Sequence, residues 1–555
     1  MVFMVKLVSS YPEMKTKGYE VADKTMLIED LLESTGMSSL YLRPRRYGKT
    51  LAVSMLDSFL NMRYEGNNWF EGTEIMGCPD AKEHMNAYPV IKLDLKGMSD
   101  TGFPETVESL KEIMANQCSL FPELFESGRV DRGILGILEE IRNRTCGIAT
   151  LHRSVLTLSM ALSIHYGTRV VLLIDEYDAI LNSTAMKPWH EDVLGLMRNF
   201  LSSALKTNDY LLFGFMTGVT EMGKASILSG LNNLYVNDVT CDDYPERFGL
   251  TESEVRTWCR KKSLECDRDE EDIFREIKEW YDGYTFGETR VFNPWSVVNY
   301  LGSMRARPYW VNSGSTEIVR DLLSTHMHTL HDALNKLASC QPVVSVMRSG
   351  VTYASLRDNP SNVFTYLAMC GYLTVQGDWN YAEFRIPNKE IREMFEDLLH
   401  QTSGISEPQI RMRMLADALL GADLEVLPSC IDEVIMDFFT GYHPRTEEGY
   451  QTMIAACAFS LGADFEVKTE YPSGKGRADV WIRRIRGSGV NMVMELKKLQ
   501  DGDDPYESAE EALAQILGKR YTRTLKGRTL VYGIALGGGV PVLRFRELSD
   551  PFSAL

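Results

Sequence analysis

The chain of 555 residues has no C-x-x-C pair, and its ten cysteines stand singly. That argues against a structural zinc site and against a disulfide framework. No apolar run approaches the roughly 18 residues that suggest a membrane span. The opening "MVFMVKLVSSYPEMK" holds too short an apolar stretch for a secretory signal, and no small-residue cleavage site follows. A cytoplasmic protein without a membrane partner is the expectation. No internal repeat or low-complexity tract is present, and no zinc finger or helix-turn-helix reader is recognisable. Sequence-specific base reading is therefore not visible. Positive charge is scarce overall. The net charge is −18, unfavourable for binding nucleic acid, whose phosphates reward positive surface. Yet residues 441–555 hold 16 Lys+Arg against 15 Asp+Glu, so the rest of the chain carries −19. The last 115 residues are electrostatically a separate module.

What is present is ordinary globular composition, 44% hydrophobic and 25% charged, in a chain long enough for three or four domains. Residues 1–240 read as α/β. Candidate strands are "SLYLRP", "YPVIKLDLKG", "TRVVLLIDEYD", "DYLLFGFMTGV" and "NNLYVNDVT", separated by amphipathic helical stretches. That alternation predicts a parallel sheet covered on both faces. Residues 241–400 read as mostly helical with a short hairpin, "GYLTVQ" and "EFRIPN", and 401–440 as a helical connector. Residues 441–555 read as a compact α/β domain. It has an opening helix, strands "FEVKTEYP", "RADVWIRR" and "NMVMELKK", a long helix "PYESAEEALAQILGKRYTRTLK", and a final strand "TLVYGIAL".

"LRPRRYGKT" ends as a phosphate-binding loop ends, with Gly48, Lys49 and Thr50, but Arg43 stands where the general pattern G-x-x-x-x-G-K-[ST] has its first glycine. In such a loop backbone N–H groups and a helix N-terminus converge on phosphate oxygens. Lys49 reaches the terminal phosphates and the Thr50 hydroxyl ligates Mg²⁺. A basic turn before a helix is the plain alternative. "VVLLIDEYD" supplies the partner: an apolar strand, expected beside the strand of the loop, ending in two acids. Asp175 is placed to hold Mg²⁺ through water, and Glu176 to polarise an attacking water. Thr217 or Thr220, at the exit of "FGFMTGVTEMGK", could sense the γ-phosphate, or form an ordinary strand-end turn. Near the C-terminus, Asp479 lies on one strand, and Glu495 and Lys497 share a face of the next, joined by the turn "RGSG". Two carboxylates that hold Mg²⁺, with a lysine for developing charge, form a set that hydrolyses phosphodiesters. A solvent-facing hairpin of mixed charge is the plain alternative.

Taken together, "VADKTMLIEDLL", "YLRPRRYGKTLAVSML", "LLIDEYDAIL", "TGVTEMGKASILSGLNNL", "WYDGYTFGETRVFNPWSVVNYL" and "YWVNSGS" resemble the AAA-ATPase-like family, whose members often carry a C-terminal PD-(D/E)XK nuclease-superfamily domain. The likeness covers nearly the whole chain in matching order. It implies a P-loop parallel-sheet ATPase core, a mostly helical lid or winged-helix-like middle region, and a restriction-endonuclease-like α/β domain. In that family the Arg-Pro-Arg-Arg-aromatic-Gly-Lys loop is the normal form. The resemblance therefore puts Arg46, Gly48, Lys49, Thr50, Asp175 and Thr217 around ATP, with Mg²⁺ at Thr50 and Asp175 and with Glu176 catalytic. It makes Asp479, Glu495, Lys497 and Gln515 the nuclease set, with a second Mg²⁺ at Asp479 and Glu495. Tyr521 follows Gln515 at the superfamily's spacing, and Glu447 or Glu448 could complete the metal site. Asp23, Lys24 and Thr25 match the family's "DKT" segment and read as a helix cap near the adenine pocket. Trp295 reads as core. The basic residues Lys475, Arg477, Arg483, Arg484, Arg486, Lys519, Arg520, Arg523, Lys526 and Arg528 flank the nuclease set, as phosphate contacts do.

The expectation is an ATP-controlled, Mg²⁺-dependent nuclease acting on nucleic acid, on DNA rather than RNA by resemblance alone. The alternative is a nucleotide-dependent switch or scaffold whose nuclease fold only binds. Glu221, where family members commonly carry Arg, favours that alternative. A DNA-remodelling motor is weaker, because no second motor core is visible. Oligomerisation is open.

Overall fold

The structure is a computed structural model. It describes residues 5–33, 38–206, 208–220, 234–311, 317–348, 350–351, 353–402, 407–439, 446–462, 464–485, 490–537 and 539–549. Glu221, Arg486 and the "RGSG" turn lie outside the described residues. The chain forms two compact units, Met1–Thr402 and Ser403–Leu555.

The first unit is built on β1 (Ser38–Leu42), β2 (Val90–Asp94), β3 (Val170–Asp175), β4 (Leu211–Gly218) and β5 (Leu234–Asn237), all paired in parallel in the order β2-β3-β4-β1-β5. β1 and β3 are buried at every position, as apolar runs without alternation require. Successive residues face opposite cores. Tyr41, Leu173 and Phe215 pack on one side of the sheet, and Leu42, Leu172 and Met216 on the other. One expectation is corrected. The strand ending in Asp175 does not lie beside the strand of the phosphate loop, because β4 pairs with both and separates them. Buried apolar strands of similar composition do not encode which neighbours they take.

After the sheet, the helices Glu252–Ser263 and Glu270–Tyr281 lead to the hairpin β6 (Tyr284–Phe286) and β7 (Thr289–Val291). The first of these helices starts with a Thr251/Glu254 capping box. "DGY" joins the 270–281 helix to β6. Gly283 has φ +108°, and a Cβ there would sit 1.9 Å from the Pro387 carbonyl oxygen. "NPW" is a helix start: Asn293 caps the Pro294–Ser303 helix by accepting from the backbone N–H groups of Trp295 and Ser296, with Pro294 in its first turn. The helix Glu317–Ala338, β8 (Val343–Ser345), the helices Tyr353–Asp358 and Ser361–Cys370, β9 (Thr374–Gln376) and β10 (Ala382–Arg385) follow. Their antiparallel sheet, in the order β8-β10-β9, completes a winged-helix arrangement.

In the second unit, the helices Glu407–Gly421 and Leu427–Phe438 contribute Leu415, Leu419 and Ile431 to the same core as Tyr450, Ile482 and Tyr532. The helix Glu447–Phe459 precedes β11 (Phe465–Ser473), β12 (Gly476–Arg484) and β13 (Asn491–Lys498). The helix Pro505–Gly518, β14 (Thr529–Leu536) and β15 (Val542–Leu548) follow. The sheet order is β11-β12-β13-β14-β15, and only β13 and β14 run parallel, joined by the 505–518 helix. The long helix expected to reach Lys526 ends at Gly518: Lys519 caps it and Arg520 turns to φ +57°. β15 was not anticipated. As a partly exposed edge strand carrying Arg544, Arg546 and Glu547, it lacks the apolar run that marks β14.

Candidate functional site

In the first unit, β1 delivers the chain into the turn Arg43–Gly48 and the helix Lys49–Leu60. Arg43 is fully buried. Its guanidinium donates to the carbonyls of Leu42 (2.9 Å) and Asn237 (3.0 Å) and to Asn237 Oδ1 (2.6 Å), and lies over the rings of Phe248 and Phe286. Arg43 therefore replaces the missing glycine as a staple between β1 and β5, directed away from the cradle. The left-handed positions are Arg46 (φ 71°) and Gly48 (φ 87°). A Cβ at Gly48 would meet nothing within 4 Å, so the demand there is conformational. Lys49 is buried, and its Nζ donates to the carbonyls of Arg43 (2.9 Å) and Pro44 (3.0 Å). Burial pushes its ammonium below the ordinary lysine range, while Glu176, Asp178 and Asp175 oppose that shift.

The two acids fall where β3 ends. Asp175 is buried and accepts from Thr217 Oγ1 at 2.5 Å, a bond that the intervening β4 makes possible. Glu176 has φ 50°. Its N–H donates to Thr217 Oγ1 (3.3 Å), and burial raises its carboxyl. Thr220 has a different role: its hydroxyl and backbone N–H, with the N–H of Val219, all donate to buried Asp178. A cavity of about 340 Å³ opens over Gly48, Lys49, Thr50 and Glu176, and extends to an apolar end at Val8, Ala22, Trp258 and Val298. Asp175 and Thr217 lie behind this lining. Lys96, after β2, was missed by sequence reading. It also lines the cavity and sits 3.5 Å from Glu176 Oε1. The signal for it was positional, since the C-terminal ends of parallel strands gather at one edge.

Trp295 is half-buried: it packs against the core of the first unit and also lines this cavity, with the Arg46 guanidinium 3.9 Å from its ring centroid. The "DKT" segment is a local brace. Asp23 accepts from Thr25 and from the N–H of Glu74, and Lys24 pairs with Glu254. Arg45 donates to Tyr372 Oη (3.1 Å), and the Trp310 indole donates to the Arg45 carbonyl (2.9 Å), so the winged helix grips the loop. Its third helix, 361–370, is buried along its length and offers no face to a nucleic-acid groove.

In the second unit, β12 and β13 pair antiparallel so that Asp479 and Glu495 fall opposite one another, next to the Val480↔Met494 pair. Both carboxylates are buried. The Leu496 N–H donates to Asp479 Oδ2 (2.7 Å), Lys497 Nζ lies 3.7 Å from Glu495 Oε1, and the Gln515 amide donates to Glu495 Oε1 and to Tyr521 Oη (3.4 Å). The structure thus brings Asp479, Glu495, Lys497, Gln515 and Tyr521 together. Burial pushes Asp479 up to about 6, against the opposing Leu496 N–H. Burial and then the Asp479 charge push Glu495 up to about 7. Of the two glutamates on the opening helix, Glu447 is the one whose charge is felt at Asp479. Among the described residues no group of three or more His, Cys, Asp or Glu is close enough to hold a metal. The fit to a cation rests instead on the carboxylate pair, in which Glu495 Oε2 is buried without a hydrogen-bond partner. A buried acceptor that lacks a donor suits a cation. Of the flanking basic residues, Arg528 and Arg483 are paired with Glu547 and Glu466. Lys475 and Lys519 meet where the Lys475 N–H donates to the Lys519 carbonyl, and the Lys519 charge is felt at Glu495.

Residues 7–228 match the family model described as "Predicted AAA-ATPase", and residues 445–536 match that of the PD-(D/E)XK nuclease superfamily. The chain is 25% identical over 525 residues to the "Uncharacterized protein in vnfD 5'region" of Azotobacter chroococcum mcd 1, covering 92% of this chain and 91% of that protein. Among solved structures it aligns with the ORC2 protein of Aeropyrum pernix (ADPNP-ADP complexes) at 11% identity and a TM-score of 0.25, over 68% of this chain and 92% of that one. No described helix is long and apolar enough to cross a membrane. The chain thus joins an AAA-ATPase-like domain to a PD-(D/E)XK nuclease superfamily domain.

Proposed function

We propose that this protein is an ATP-binding and ATP-hydrolysing, Mg²⁺-dependent nuclease acting on DNA, with the nucleotide domain controlling the cut. The observation that carries the reading is the partnerless, buried Glu495 Oε2 beside Asp479 and Lys497. A bare carboxylate oxygen in a low-dielectric site is costly unless a cation completes it. Asp479 and Glu495 would hold the ion. Bound Mg²⁺ polarises the phosphodiester and lowers the pKa of water. Gln515 fixes the Glu495 carboxylate, and Lys497 presents its ammonium to the charge that develops on phosphate. Lys475 and Lys519 hold the backbone of the substrate without reading its bases.

In the first unit, Lys49 exchanges the carbonyls of Arg43 and Pro44 for the nucleotide's phosphates, and Gly48 and Arg46 shape the turn around them. Thr50 and Asp175 would hold the nucleotide's Mg²⁺, with Asp175 fixed by Thr217. Glu176 orients the attacking water, and Lys96 balances its charge. A second reading, a nucleotide switch whose nuclease fold only binds, is favoured by the contact of Arg45 with Tyr372, which lets the winged helix feel the loop. Cleavage of supercoiled, linear and single-stranded DNA with Mg²⁺ or Mn²⁺, with and without ATP, separates the two. The nuclease reading requires metal-dependent cutting that Glu495→Ala abolishes. Absence of cutting despite ATP binding selects the switch.

A further inference from the structure

A second glutamine amide reaches the carboxylate site, and the motif does not include it. Gln451, on the 447–459 helix, is buried, and its Nε2 donates both to Asp479 Oδ1 (2.9 Å) and to Glu470 Oε1 (3.1 Å). An amide NH₂ has two donor hydrogens, and here each meets a carboxylate oxygen. The flipped amide would turn its carbonyl toward both negative groups, so the orientation is fixed. Asp479 is then held at both oxygens, by a helix side chain at Oδ1 and by the Leu496 N–H at Oδ2. Glu470 carries a left-handed backbone, φ 49°, uncommon outside glycine. It falls where the β11–β12 ladder passes from Thr469↔Val480 to Tyr471↔Ala478, opposite Asp479. An unusual backbone conformation beside a candidate site is an observation from which a role can be argued.

We propose that Gln451 is a positioning residue for the metal-binding carboxylate Asp479, and that Glu470 keeps the Gln451 amide turned donor-side inward. This inference rests on the nuclease reading of the same site. Without the bridge, Asp479 Oδ1 loses its donor, and the Asp479 and Glu470 charges face each other across the ladder. Partners that orient metal-binding side chains typically contribute about 10- to 100-fold in metal affinity or activity.

The test uses the full chain without nucleotide. Mn²⁺ binding is followed by the loss of the free-ion EPR signal, in parallel with cleavage rates against Mg²⁺ and DNA concentration. Gln451→Leu is expected to weaken Mn²⁺ binding about 10- to 100-fold and to raise the half-saturating Mg²⁺ in step, with KM for DNA and ATP affinity unchanged. Glu470→Ala, at an exposed position that does not threaten the fold, is expected to show a smaller loss in the same direction. Wild-type Mn²⁺ affinity in either folded variant overturns the inference. Wild type that binds Mn²⁺ but cuts no DNA defeats the nuclease reading, while the affinity differences still decide the role of Gln451. Wild type that binds no Mn²⁺ overturns both.

Discussion

Arg43→Gly gives the phosphate loop the glycine of the general pattern, and it is expected to damage the first unit rather than improve nucleotide binding. The guanidinium donates to three acceptors, the Leu42 and Asn237 carbonyls and Asn237 Oδ1, at a fully buried position. Burial lowers its pKa to about 10, so it stays charged at neutral pH. Removing it leaves those acceptors short of a donor, at about 1 kcal/mol each when they keep other partners. Loss of the faces of Phe248 and Phe286 adds about 1 kcal/mol. Relief from burying a charge, and an Arg43 Nε that already lacks a partner, offset part of this. The net expectation is a loss of about 3 kcal/mol. Arg43→Met, which fills the space but donates nothing, loses the same hydrogen bonds and ring contacts and should therefore lose nearly as much. The assay is thermal unfolding with and without ATP, in which the transition that ATP raises identifies the first unit. An Arg43→Gly protein that keeps that transition and binds ATP as well as wild type would refute the assignment.

Other consequences follow from neighbouring groups. Glu176→Gln should bind ATP as wild type does but turn it over at least about 100-fold more slowly, as shown by nucleotide binding against phosphate release. Asp178→Ala removes the acceptor shared by Val219 N–H, Thr220 N–H and Thr220 Oγ1 and should cost about 3 kcal/mol in the ATP-sensitive transition, whereas Asp178→Asn should cost less. Glu390, buried and accepting from Ser296 Oγ and the Trp310 N–H, has its pKa pushed up to about 7 by burial. Its folded pKa lies above the unfolded value, so the folded state holds the proton more tightly. The contribution is complete below the ordinary carboxyl range and is lost as pH rises through about 7. Glu390→Gln should therefore gain stability relative to wild type between pH 5 and pH 8, by about 3 kcal/mol at most, read by denaturant midpoints at both pH values.

The chemistry at the strand ends was legible because it sits in short local strings. An apolar run followed by Gly48-Lys49-Thr50, and another followed by Asp175-Glu176, need only a few adjacent residues to be recognised. Asp479, Glu495 and Lys497 were legible because strand parity and one hairpin bring them together. What required distant partners was not. The staple made by Arg43 depends on Asn237, 194 positions away, and the order β3-β4-β1 depends on pairings among strands that look alike. Thr217 and Thr220 are equivalent in sequence, and they separate only because one faces Asp175 and the other Asp178. Gln451 lay hidden among the polar residues of an ordinary helix. Its significance comes from the left-handed Glu470 and the ladder that sets Asp479 opposite it.

The most direct test of the central claim is the conversion of supercoiled DNA at fixed Mg²⁺ and ATP by wild type, Glu495→Ala and Lys49→Ala, with ATP binding measured on the same samples. The account predicts that wild type cuts, that Glu495→Ala binds ATP normally and does not cut, and that Lys49→Ala loses ATP binding together with the ATP response of the cut. Undiminished cutting by Glu495→Ala, or a cut in wild type that ignores both Mg²⁺ and ATP, would contradict it.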